Sequence, residues 1–84
     1  MLNLFYFMED LSNIYLNFHF QEKRLCNETK IPAQIYLKMQ EIIAQKVFSG
    51  HVTTNVDAHC LFNMEPNKID RIYDMLIRKG IAPP

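Results

Sequence analysis

The sequence predicts an all-α fold: a small helical bundle with a long central helix and a helix-turn-helix-like C-terminal half. Nearly half of the 84 residues are hydrophobic and only two are glycine, a composition typical of a packed chain. Apolar residues recur at helical spacing through much of the chain. Proline and glycine stand where those periodic stretches begin and end. A chain of this length forms one domain.

Two helices are predicted in the first half of this domain. Residues 21–30 form a short helix whose inward side carries Leu25 and Cys26. Pro32 is expected at the first position of the next helix, where its missing N–H group needs no partner. Residues 33–49 form the long helix, which Gly50 closes.

The long helix has apolar residues on two sides. One broad face carries Ile35, Tyr36, Met39, Ile42, Ile43 and Val47. A second stripe carries Leu37, Ala44 and Phe48. Since each apolar side of a helix needs a surface to pack against, this helix is expected to be the central element, with partners on both sides.

Two further helices are predicted in the second half. Thr54 and Asp57 resemble a capping box at the start of a helix of about two turns, and Asn63 is expected to end it in a left-handed conformation. Pro66 then begins the last helix, and Gly80 ends it. A short helix, a three-residue connection and a longer helix make a helix-turn-helix arrangement.

The outer side of the last helix is the candidate functional surface. One flank carries most of its positive charge, and Met75 lies on the same flank; the predicted nucleic-acid-binding residues are Asn67, Lys68, Arg71, Arg78 and Lys79. A recognition helix uses such side chains on base edges and phosphates. Asp70 and Asp74 occupy the other flank. The alternative is an ordinary solvated face, in which Asp74 pairs with the arginines one turn away.

The overall charge limits any nucleic-acid contact to a local patch. The formal net charge is zero and the pI is about 6.8, whereas nucleic-acid-binding domains are usually basic. Thr53, Thr54 and Asn55 could donate hydrogen bonds to phosphates, but helix capping is the favoured role for them.

Other classes of function find little support in the sequence. Cys26 and Cys60 lack CxxC spacing, which predicts buried thiols of a reduced protein and no zinc site. Neither a glycine-rich phosphate loop nor a GxSxG or HExxH motif occurs, so we expect no enzyme, no cofactor and no small-molecule substrate. The apolar run over residues 1–8 lacks the features of a signal peptide and is too short to span a bilayer, so neither secretion nor membrane insertion is expected.

Several blocks of residues resemble the SWIRM domain at the C-terminus of transcriptional adaptor 2 proteins. The matching blocks are Leu25–Cys26, Ile31–Pro32, Tyr36–Leu37, Asp57–Ala58, Pro66–Asn67–Lys68, Arg71, Tyr73–Asp74 and Gly80–Ile81. The resemblance covers roughly residues 20–81. It divides the chain into a poorly matched apolar lead-in, residues 1–19, and a SWIRM-like domain, residues 20–82.

The resemblance implies a nuclear, non-enzymatic adaptor of chromatin and transcription. Its implied partners are duplex or nucleosomal DNA, bound weakly and without sequence preference, and subunits of histone acetyltransferase coactivator complexes. The alternative is a protein-docking module with no useful DNA affinity, and self-association through the aromatics of residues 1–20 is a third possibility. Residues 53–56 lack a basic cluster common in adaptor-type SWIRM domains, which should weaken phosphate binding.

Overall fold

The computed structural model describes residues 20–84, and this part of the chain folds into four helices without a strand. The first helix, α1, covers residues 20–29. The others are α2, Ala33–Phe48; α3, Asn55–His59; and α4, Pro66–Arg78. The predicted all-α fold is confirmed, whereas the predictions for residues 1–19 lie outside the described residues. None of the helices within residues 20–84 is both long and apolar enough to cross a membrane.

Helix α4 is the element against which the others pack. It contacts both α2 and α3. Its Ile69, Ile72 and Leu76 are completely buried, as are Ile43 of α2 and Ala58 of α3. The core therefore forms where the inner face of α4 meets the two helices beside it.

The long helix buries one face only within the described part of the chain. Tyr36, Met39 and Ile43 point into the core, as predicted for the broad face. Leu37 and Phe48 of the second stripe are exposed, and so is Ile35. The partner expected on that second side is therefore not found among residues 20–84.

Helix ends follow the local sequence signals in most places. Pro66 is the first residue of α4, as predicted, and the carboxylate of Asp57 accepts a hydrogen bond from the Thr54 N–H in the predicted capping box. Pro32 precedes α2 as its N-cap instead of beginning it. Asn63 does not adopt the left-handed conformation, because α3 already ends at His59.

Three helices end with the same long hydrogen bond, in which an N–H donates to the carbonyl five residues earlier: Ile31 to Cys26, His51 to Lys46 and Ile81 to Leu76. After α4, the Gly80 N–H donates to the carbonyl of Ile77 and the Ile81 N–H donates to that of Leu76, both at 2.9 Å. This turn requires a left-handed residue, and the φ angles are +77° at Gly80, +82° at Gly50 and +60° at Lys30. Lys30 is thus the one position of the three where a side chain carries the strain.

We expect Lys30→Gly to stabilise the domain by about 0.5 kcal/mol and Gly80→Ala to destabilise it by about 1 kcal/mol. Glycine removes the steric cost at Lys30, but it also adds freedom to the unfolded chain, which reduces the gain. Urea unfolding of the two variants beside the parent measures both values. Effects of the same sign in the two variants would contradict this account of the turns.

Candidate nucleic-acid interface

The flank of α4 that carries most of its positive charge is partly covered by α1. Met75, expected on the outer side among the cations, is 3% exposed and lines a cleft together with Leu25 of α1. On either side of this apolar contact, one glutamate of α1 forms an ion pair with a cation. One of these cations belongs to α4, and the other is the residue that follows α4. The predicted outer flank is therefore in part an internal packing surface, at Met75 and at the two cations that pair with α1.

Lys79 belongs to a shielded polar cluster that joins three elements. Its ammonium group forms an ion pair with Glu22 of α1 and donates a hydrogen bond to Gln40 Oε1 of α2 at 3.2 Å. Gln40 Nε2 in turn donates to Glu22 Oε1 at 3.2 Å and to the Tyr36 hydroxyl at 2.5 Å. Lys79 and Glu22 are only 20% and 14% exposed. Lys79 therefore lies in a structural position, with little of its charge presented to solvent.

The environment of this cluster disfavours the ionised form of two neighbouring groups. Burial, reinforced by the negative charge of Glu22, raises the pKa of Tyr36 far above its ordinary value. Burial and the negative charge of Glu22 also raise the pKa of the Cys26 thiol, which favours its protonated form. Cys26 is half-buried, whereas Cys60 is exposed, so the prediction of a buried thiol at Cys60 was wrong.

Arg71 forms a second ion pair with α1. Its Nη2 atom lies 2.5 Å from Glu28 Oε1, while Arg24 Nε donates to Glu28 Oε2 at 3.2 Å. These two arginines, Arg71 foremost, hold the pKa of Glu28 below its ordinary value. Arg71 thus pairs across helices with Glu28, where the solvated-face alternative had expected Asp74.

The remaining predicted residues are more accessible. Asn67 and Arg78 are exposed and Lys68 is half-buried. Neither Lys68 nor Arg78 forms an ion pair with any residue in the part of the chain that the structure describes. At about 100° per residue, Asn67, Arg71 and Arg78 lie within about 40° of one another on the helix surface. They form an outward stripe, which Asp74 interrupts.

Asp70 fixes the angle between α3 and α4. Its Oδ1 atom accepts hydrogen bonds from His59 Nε2 at 2.6 Å and from Asn55 Nδ2 at 2.9 Å. Since a carboxylate oxygen can only accept, His59 must carry its proton on Nε2. The bond from His59 lowers the pKa of Asp70; partial burial opposes this effect, and the bond from Asn55 adds to it.

The residues before α3 act as a cap. The backbone N–H and the hydroxyl of Thr53 donate to Asp57 Oδ2 at 2.9 and 3.0 Å. These bonds, with that from the Thr54 N–H, lower the pKa of Asp57. Thr53 and Thr54 therefore bond to Asp57 in the cap, as the capping interpretation predicted, whereas Asn55 bonds to Asp70 of α4 instead. The sequence could not show the contact of Asn55 with Asp70, because it joins residues 15 positions apart.

A metal site finds no support in the geometry of residues 20–84, where no three side chains of His, Cys, Asp or Glu come together.

Comparison with known proteins relates this domain to plant transcriptional adapters. Over 61 residues, which are 73% of the chain, it is 51% identical to transcriptional adapter ADA2b of Arabidopsis thaliana. It is 47% identical to ADA2a of the same plant over 61 residues, and 45% identical to ADA2 of Oryza sativa subsp. japonica over 58 residues. The matched segments are only 10% to 12% of those proteins, so the chain shares one short segment with much longer relatives. No family model and no solved structure matches the chain.

The shielded position of Lys79 predicts a stability effect that Lys68 lacks. We expect Lys79→Met to lower the free energy of unfolding by about 2 kcal/mol, because the carboxylate of Glu22 loses its counter-ion in a poorly solvated place. Lys68→Met, on the same flank, should change it by less than about 0.5 kcal/mol. Urea unfolding measures both variants. Equal effects would show that Lys79 has no structural role.

The depressed pKa of Asp70 predicts a pH-dependent contribution to stability. Because the folded-state pKa lies below the unfolded value of about 3.9, this contribution is fully present above that value and is lost as the pH falls through the folded-state pKa. At pH 7, Asp70→Asn should lower the free energy of unfolding by about 1 kcal/mol. The difference from the parent should begin to shrink below about pH 3.9 and should continue to shrink as the pH falls through the folded-state pKa.

The control for this measurement is Asp74→Asn, one turn further along α4 and exposed. It should differ little from the parent throughout the same urea titrations. If the free energy of unfolding of Asp70→Asn were lower than that of the parent by the same amount at every pH, this would contradict a role for the Asp70 charge.

Proposed function

We propose that the domain is a non-catalytic adaptor module of a nuclear transcriptional adapter. The shared segment with three plant transcriptional adapters supports this role. The resemblance of the blocks between Leu25 and Ile81 to a SWIRM domain supports the same assignment. Such a module works beside other domains of a longer protein and within a coactivator complex that contains histone acetyltransferase subunits.

Within that role, the domain makes weak, largely sequence-independent contact with duplex or nucleosomal DNA. The observation that carries this proposal is the outward stripe of α4, where Asn67, Arg71 and Arg78 share one exposed side of the helix. Lys68 adds a cation one residue from Asn67. Lys79 has no part in this contact, because its ammonium group faces Glu22 and Gln40.

The charge of the domain is compatible with weak binding. Residues 20–84 contain all nine lysines and arginines but only seven of the nine acidic residues, since Glu9 and Asp10 precede them, so this part has a formal charge of +2. Asp74 interrupts the outward stripe and repels phosphate. Nonspecific DNA binding has dissociation constants of about 10⁻⁴ to 10⁻⁶ M at physiological salt, and we expect the weak end of that range.

The second candidate function is protein docking without DNA affinity. The observation that favours it is the pairing of Arg71 and Lys79 with glutamates of α1, which removes two of the five predicted nucleic-acid contacts. Exposed apolar side chains at Leu37, Phe48 and Val56 offer surface for a partner protein. Under this alternative, assembly into a coactivator complex would be insensitive to the charges of α4.

Fluorescence anisotropy with a labelled random duplex, titrated at several salt concentrations, tests the DNA contact. With three cations on phosphates, log K should fall with log salt at a slope of about −3, and Lys68→Gln, Arg78→Gln should reduce it to about −1. The same double variant should weaken binding at least about tenfold at low salt.

A matched control is Lys38→Gln, Lys46→Gln, which removes two charges from exposed positions of α2. This variant should retain most of the binding. If the parent shows no binding at low salt while it is folded and monodisperse, the DNA contact is excluded and docking becomes the proposed function.

A further inference from the structure

A cleft between α1 and α4 gathers three arginines on one side of the domain. Its volume is about 250 Å³, and its walls are formed by Gln21, Arg24, Leu25, Glu28, Arg71, Asp74, Met75 and Arg78. A water molecule takes about 30 Å³, so the cleft has room for a tetrahedral anion with several waters. Arg71 and Arg78 are two helical turns apart on α4, and Arg24 faces them from α1.

Glu28 occupies the space between two of these arginines. One of its carboxylate oxygens accepts from Arg71 and the other accepts from Arg24, so each arginine holds one oxygen. Arg78 lines the same cleft but makes no ion pair within residues 20–84. The carboxylate therefore stands where an external anion would be bound by the same two guanidinium groups.

The internal carboxylate is held loosely enough to be displaced. The side chains of Glu28, Arg71 and Arg24 are 41%, 45% and 81% exposed, and ion pairs at such exposure add little to stability. A backbone phosphate presents two free oxygens and one negative charge to the paired guanidinium groups, as the carboxylate does, so displacement depends on the other contacts that hold the duplex beside the cleft. Arg78, which lines the same cleft, would add a third guanidinium group beside the incoming anion.

We infer that this cleft is a phosphate-binding site of the domain, in which Glu28 is a built-in competitor for the anion. The inference rests on the proposed DNA contact, in which the duplex lies along the outward stripe of Asn67, Arg71 and Arg78. One backbone phosphate of that duplex enters the cleft. There it replaces the Glu28 carboxylate between Arg24 and Arg71. Asp74 on the wall keeps the affinity low. Arg24, which lies on α1 and was not predicted from the sequence, becomes part of the interface.

The test is Glu28→Gln in the full chain, with the same labelled duplex and salt titration. Glutamine keeps the shape and one acceptor oxygen but removes the competing charge. Binding at 50 mM salt should tighten about threefold to fivefold, because the phosphate no longer has to displace a carboxylate from Arg24 and Arg71. Adding Arg24→Gln to this variant should abolish the gain.

The matched control is Glu41→Gln. Glu41 is another exposed carboxylate paired one turn away, with Lys38 on α2. It carries the same charge change outside the cleft and should alter the affinity much less. Equal tightening in both variants would mean a general effect of net charge and would overturn the inference.

Failure of the inference can be separated from failure of the DNA contact. If the parent binds DNA with the expected salt slope and Glu28→Gln changes nothing, the DNA contact stands and the cleft is not its phosphate site. A second arm titrates inorganic phosphate and follows the NMR signals of the arginine Nε–H groups in the parent and in Glu28→Gln. Selective shifts at Arg24, Arg71 and Arg78, larger in the variant, support the site independently of DNA.

If those shifts occur but neither protein binds the duplex at 50 mM salt, the assignment of duplex DNA as the source of the phosphate is overturned. The proposed ligand is then a phosphorylated protein. If neither phosphate nor duplex produces a response at the cleft, the inference is overturned entirely. Thermal unfolding of each variant establishes that the domain remains folded during these measurements.

Discussion

The ion pair between Glu22 and Lys79 is the contact that joins α1 and α2 to the end of α4. Both charges are largely removed from water, so each needs the other and the amide of Gln40 to offset the loss of hydration. The hydroxyl of Tyr36 completes the cluster. These four side chains come from α1, α2 and the residue that follows α4. Satisfying all of them at once requires those three elements to meet in one relative position.

The same arrangement determines which charges the domain presents to a partner. Helix α1 covers Met75, and its glutamates pair with Lys79 and, through Glu28, with Arg71. Part of the positive flank of α4 is therefore occupied by contacts within the domain. On the opposite flank, Asp70 is occupied by His59 and Asn55. On each flank, the residues nearest the neighbouring helix are therefore engaged in contacts with that helix, α1 on one side and α3 on the other. What remains for a partner is the exposed ridge between them.

Under the proposed function, this distribution of charge gives the domain by itself a low affinity for DNA. The chain matches a short segment of much longer transcriptional adapters, so under the proposed function it works beside other domains. Linked binding modules add their weak contacts, because the second contact forms at a high effective concentration. Under the proposed function, a weak phosphate contact with an internal competitor is sufficient, since neighbouring domains supply the rest of the affinity.

The sequence by itself determined the helices and most of their ends. The signals for these elements act over only a few residues, so they can be found in the sequence. They are the helical spacing, the proline at the start of α4, the capping pair of Thr54 and Asp57, and the glycine after α4. The tertiary structure alone decided which flank of α4 is covered and which cations are paired. Glu28 meets Arg71 across 43 positions, and Gln40 meets Lys79 across 39. Periodicity shows that a helix has a polar flank, but it contains no information about which distant helix will lie on it, because that choice depends on the packing of the whole core.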